Sequence, residues 1–86
     1  MPEYRAVVHV MLRRAILDPQ GRAVEGTLRR LGHLNVGDLR VGKRIELTLA
    51  GERGPVEAQL REIAERVLSN PVMEDVELEL HETAAA

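Results

Sequence analysis

The 86-residue chain has no cysteine, no tryptophan, no phenylalanine, one tyrosine, one serine (Ser69) and one lysine (Lys43). Each absence removes a class of chemistry. Without cysteine there is no disulfide, no thiolate nucleophile and no thiolate metal site. A core without phenylalanine or tryptophan must be built from Val, Leu, Ile, Ala and Met. A chain of this length buries only about 60% of the surface its unfolded form exposes, so association with another chain is a reasonable way to reach adequate burial. No segment approaches the roughly 20 apolar residues of a membrane span. The first residues carry no basic leader followed by a long apolar run, and a cytoplasmic protein is expected. The net charge is −2, with both signs interspersed. Nucleic-acid-binding domains carry a basic footprint, and RNA-binding sheets carry aromatic platforms; neither is visible here, so no nucleic-acid partner and no membrane are expected. Eleven of the twelve basic residues are arginine, which suits rigid interface hydrogen bonding and equally fits a compositional bias.

Ile16 to Gly32, ILDPQGRAVEGTLRRLG, holds a helix start, a short amphipathic helix and a helix stop. Asp18 is placed to cap free N–H groups of the first turn, and Pro19 suits the first helical position. Val24, Leu28 and Leu31 make one apolar face, with Arg22, Glu25, Arg29 and Arg30 off it. Gly32 can close the helix in the left-handed conformation. Gly26 inside the helix is either a tolerated imperfection or a point of close approach for a strand or partner.

Before this helix, Tyr4, Ala6, Val8, Val10 and Leu12 alternate with Arg5, Val7, His9, Met11 and Arg13, the pattern of a strand. Val7 and Met11 on the second face modestly favour a cover by a second copy. After the helix, Val36–Val41 is read as a short strand and Lys43–Ala50 as a second run. Gly42 between them is a bulge, a bend or a tight hairpin, and one kinked strand or two short ones both fit. The clearest helix follows Pro55, with Val56, Leu60, Ile63 and Val67 in a stripe widened by Ala64 and Leu68. Asn70-Pro71 ends it. Asp75–Glu82 alternates as a last strand with an acidic outer face, and 83–86 reads as a frayed tail. The expected fold is α+β, a small β-α-β(β)-α-β domain. Its sheet is of antiparallel type, with two helices on one face, and dimerisation extends or covers it.

No catalytic constellation emerges. His9, His33 and His81 are not at ligand spacing, Ser69 has no recognisable base, and Gly42-Lys43-Arg44 lacks the upstream glycine and following Ser/Thr of a phosphate loop. Asp18 reads as a cap rather than a general base.

Several separated pieces together resemble the PurS subunit of phosphoribosylformylglycinamidine synthase. They are the alternating first strand, Ile16-Leu17-Asp18-Pro19-Gln20-Gly21, Leu28 with Leu31-Gly32, Val36, Leu39-Arg40-Val41-Gly42-Lys43, and Leu68-Ser69-Asn70-Pro71-Val72-Met73-Glu74-Asp75. They run in order through nearly the whole chain, as one PurS-like domain over 1–86. One departure is visible: Arg13-Arg14-Ala15 stands where the family often has a basic residue and a glycine. The resemblance implies a small non-catalytic subunit, a homodimer bridging a synthetase (PurL-type) and a glutaminase (PurQ-type) subunit and helping ammonia pass between them in purine biosynthesis. It implies no cofactor or metal on this chain; ATP, Mg and glutamine are used by the partner subunits. Arg40, Lys43, Asn70 and Glu74 are the partner contacts it suggests, and Asp18, Pro19, Gly21, Gly32, Gly42 and Pro71 the structural positions. The rival is an ACT-like ligand-binding regulatory dimer, which shares a β-α-β-β-α-β order.

Overall fold

The computed structural model describes residues 2–83. Three strands, β1 (Glu3–Leu12), β2 (Lys43–Ala50) and β3 (Glu74–Glu82), form one antiparallel sheet in the order β2-β1-β3. Helix α1 (Pro19–Arg30) links β1 to β2, and α2 (Arg53–Ile63) leads through one wide turn, Ala64–Leu68, toward β3. The α+β class, the antiparallel sheet and the β-α-β-α-β order agree with the sequence reading.

The first strand is central, with Val8 opposite Ile45 on one side and Leu78 on the other. Its inward residues Ala6, Val8 and Val10 are buried against Leu60 and Ala64 of the second helical segment. Ile45, Leu47, Leu49, Val76, Leu78 and Leu80 flank this core and stay half-buried. One helix is narrower than three strands, so α2 covers the middle of the apolar face and leaves both margins open.

The expected pair of helices on that face is therefore reduced to one. Helix α1 and the loop returning from it stand off beyond the end of the sheet, and the chain measures 53 × 29 × 15 Å. Its radius of gyration, 16.9 Å, exceeds the roughly 12 Å of a compact domain this long. The α1 stripe consequently lies open: Val24 is 44% and Leu31 71% exposed.

Two further expectations change. Val36–Val41 is not a strand, because its backbone polar groups bond elsewhere: the Val41 N–H donates to the Asp18 carboxylate at 2.8 Å, and the Val36 carbonyl accepts from Arg29 at 3.3 Å. The sheet thus draws one strand from 36–50, and the fourth strand of an ACT-like order is not formed among the described residues. Val67, expected in the α2 stripe, is 74% exposed. The turn at Ala64–Leu68 is a π turn, in which more residues are used per revolution, so the stripe slips and half-buried Leu68 faces the core instead. The Ser69 hydroxyl donates to the Ala64 carbonyl five residues back, closing that turn.

On the second sheet face Val7 is buried within the single chain, between Glu46 and Glu79 in the register, so it asks for no outside cover. His9 and His81 both reach Glu79 there, at 2.5 and 3.1 Å. Of the tail, Thr83 is held by its N–H and hydroxyl on the Glu3 carbonyl, while 84–86 lie outside the described residues.

Candidate functional site at the root of the arm

The motif residues, scattered along the sequence, meet where α1 leaves the sheet. Asp18 caps α1: one carboxylate oxygen accepts from the Gly21 N–H at 3.0 Å and the other from the Val41 N–H at 2.8 Å. Asp18 is buried, and these two N–H donors, helped by the Arg40 charge, hold its carboxyl below the usual carboxylate range. The same carboxylate thus starts the helix and pins the returning loop to it. Gly21 is buried at this junction, where a β-carbon would run into the Leu39 carbonyl and the Asp18 carboxylate. Helix α1 ends with the Gly32 N–H on the Arg29 carbonyl and the His33 N–H on the Leu28 carbonyl, with φ +98° at Gly32.

Arg40 sits across the junction. Its guanidinium donates to the carbonyls of Leu12, Arg13 and Ile16 at 3.1, 3.1 and 3.4 Å. These carbonyls belong to the chain between β1 and α1, so Arg40 ties the exit and the return of the arm together. Arg14 adds an ion pair to Asp38 at 2.6 Å. At Gly42 a β-carbon would meet the Met11 sulfur and the Val10 carbonyl, so a glycine is needed where the return loop crosses β1.

Asn70 and Glu74 build the turn that enters β3. The Asn70 carbonyl accepts from the N–H groups of Met73 and Glu74, its side-chain oxygen accepts from the Val72 N–H, and the Glu74 carboxylate accepts from the Asn70 N–H at 2.7 Å. Arg13 donates to the Pro71 carbonyl at 2.6 Å and binds that turn to the end of β1. Of the four suggested contact residues, Arg40, Asn70 and Glu74 are engaged within the chain. Lys43 is exposed and has no carboxylate partner among the described residues.

Asp18, Pro19, Gly42, Lys43 and Glu74 line one open cleft of about 420 Å³, floored by Val10, Leu12 and Val41. Among the described residues no group of three His, Asp or Glu could hold a metal, and no buried side-chain polar atom lacks a hydrogen-bond partner. Sequence reasoning missed Arg13, Arg14 and Leu39 at this junction. The double arginine after β1 was the available signal.

Motif residues that anchor an arm, with an apolar stripe left open on that arm, define an assembly module. The sequence model of the PurS family, described as phosphoribosylformylglycinamidine (FGAM) synthase, matches residues 5–82, and the chain belongs to that family. It is 54% identical over 71 residues to the phosphoribosylformylglycinamidine synthase subunit PurS of Mycobacterium leprae, spanning 83% of this chain and 87% of that one. The crystal form of Bacillus subtilis PurS superposes with a TM-score of 0.85 at 37% identity, over 92% of this chain and 99% of that one. A chain of the Thermotoga maritima PurLQS structure matches with a TM-score of 0.81 at 32% identity, over 96% of this chain and all (100%) of the other.

Proposed function

We propose that this chain is the small, non-catalytic subunit of phosphoribosylformylglycinamidine synthase in de novo purine biosynthesis. It works in the cytoplasm as a homodimer that bridges a PurL-type synthetase and a PurQ-type glutaminase. ATP, Mg and glutamine are bound by those partners. The observation that carries the reading is the anchored arm: a family member with its apolar stripe uncovered in the single chain is shaped to be completed by other chains. The likeness to a chain of a PurLQS structure supports the same reading. Ammonia is small, and in water it is protonated or lost. A subunit that seals the junction between glutaminase and synthetase raises turnover without touching a bond. Lys43 and the free amide of Asn70, with Arg40 and Glu74 fixing their surroundings, are the contacts we assign to the partner surface.

The test is formylglycinamidine ribonucleotide formation by the two partner subunits, with and without this chain, using glutamine or ammonia. The glutamine reaction should depend on the chain while the ammonia reaction proceeds without it. Equal use of glutamine in its absence would overturn the coupling role.

A further inference from the structure

We infer that the turn entering β3 is a preformed apolar knob: Val72 and Met73 at its tip insert into an apolar socket on one of the two enzyme subunits. The inference rests on the subunit reading above and names the part of the chain that grips its partner.

The composition of the tip is wrong for a loop that only reverses the chain. Surface turns ordinarily carry Gly, Asn, Asp or Ser at their tips. Here the chain reads Asn70-Pro71-Val72-Met73-Glu74, and Val72 is 79% and Met73 42% exposed. Val67, on the segment leading in, is exposed as well. It is turned outward by the wide π turn at Ala64–Leu68, a departure from the α-helix that recurs at functional sites.

The turn is also built more firmly than its exposure requires. The Asn70 carbonyl accepts from two N–H groups, its side chain accepts from a third, and the Glu74 carboxylate closes the loop on the Asn70 N–H. Arg13 clamps it from the end of β1 with two bonds, its guanidinium donating to the Pro71 carbonyl at 2.6 Å and its N–H to the Met73 carbonyl at 2.8 Å. Apolar side chains on a turn already fixed lose little freedom on binding, so contact there converts into affinity. Asn70 and Glu74 shape the turn, and Val72 and Met73 form its face.

Charge balance and position say what covers it. The neighbouring charges are matched within the chain, Arg13 with Asp75 at 3.4 Å and Arg66 with Glu62 at 3.6 Å, so the knob offers apolar surface and little net charge. The clefts between α1 and its return loop, between α2 and β3, and beside Lys43 are each rimmed by arginine or lysine. An uncharged knob seated there would desolvate those cations without pairing them, so this chain's own clefts do not match it. The turn stands where Leu12 of β1 pairs with Glu74, and Glu74 shares a cleft with Lys43. The knob therefore continues the surface assigned above to the enzyme subunits, and a subunit of that complex, not a second copy, is its occupant.

The experiment measures binding of the full chain to each enzyme subunit and to the two together by sedimentation velocity, with ATP, Mg and glutamine present. Val72 is solvent-exposed, so Val72→Asp and Val72→Ser should match the wild type in circular dichroism and in the urea midpoint of the chain alone. In both variants the dissociation constant for one of the subunits should rise about tenfold or more, the equivalent of withdrawing one buried valine. Val72→Ile should bind as tightly as the wild type. Glutamine-dependent turnover should fall with Val72→Asp at low chain concentration and recover when the chain is in excess, the signature of a weakened grip. Unchanged binding to both subunits in Val72→Asp and Val72→Ser overturns the knob and leaves the subunit reading standing. Weakened self-association of the chain alone, with subunit binding unchanged, also overturns it and assigns the turn to a second copy. A wild-type chain that binds neither subunit overturns both readings.

Discussion

Leu60 on α2 and Leu31 at the end of α1 are the same side chain on amphipathic helices of similar length, yet one is 2% exposed and the other 71%. Helix α2 returns over the sheet its neighbours form. Helix α1 is turned away by the junction of Asp18, Gly21 and Arg40 and has no sheet beneath it. Amphipathicity reports that a helix has a face to bury. Where that face goes depends on the connection at its root, and here the two connections send two helices to opposite fates, one inside its own chain and one on its surface.

The sharpest way to break this comparison is to truncate both leucines. Leu60→Ala should destabilise the chain by about 2–5 kcal/mol in urea unfolding, because it opens a cavity in the core. Leu31→Ala should leave unfolding of the dilute single chain nearly unchanged; an equal loss in both variants would mean that the arm packs on its own sheet. Next in size, Gly42→Ala forces a β-carbon to within 2.6 Å of the Val10 carbonyl and should cost about 1–3 kcal/mol. Arg40→Ala should act on the arm alone: amide exchange in the first turn of α1 should quicken about tenfold while β1 and β3 keep their protection.

Smaller effects separate the regions by pH. Asp18 is held below the usual carboxylate range, so its contribution is complete above the ordinary aspartate range and is lost as pH falls through its depressed value. Acid should therefore loosen α1, read by exchange of its amides, and Asp18→Asn should remove that dependence. In the body, hydrogen bonds from His9 and then His81 hold Glu79 below the usual range, giving the same sign. It is exposed and screened, so His9→Gln should only flatten the acid limb of the stability curve slightly.

Much of the body was legible in the residues. Alternation in β1, β2 and β3 sets which side chains face inward, and Val56, Leu60 and Ala64 at spacings of four mark the buried side of α2 and of the turn that follows it. The cap by Asp18 and the stop at Gly32 were legible because capping is a local exchange of backbone donors and acceptors. The candidate site was legible as motifs but not as a place. The tie that Arg40 makes to three carbonyls was not legible, because nothing in the order of residues shows that they converge on it. Val36–Val41 looked like a strand, because its apolar pattern does not reveal that Asp18 takes the Val41 N–H. Val67 was misplaced because a π turn shifts the helical period, and periodicity assumes that the period is constant.

The sequence by itself determined the element order, the helix ends, the inward face of each strand, the lack of thiol chemistry and, through its motifs, the family. These depend on backbone capping and on side-chain periods of two and 3.6 residues, which neighbours along the chain decide. Only the tertiary structure decided that one helix covers the sheet and the other leaves it, and that distant motifs share a junction. Those outcomes depend on contacts between residues far apart in the chain, where direction and distance in space replace spacing in sequence.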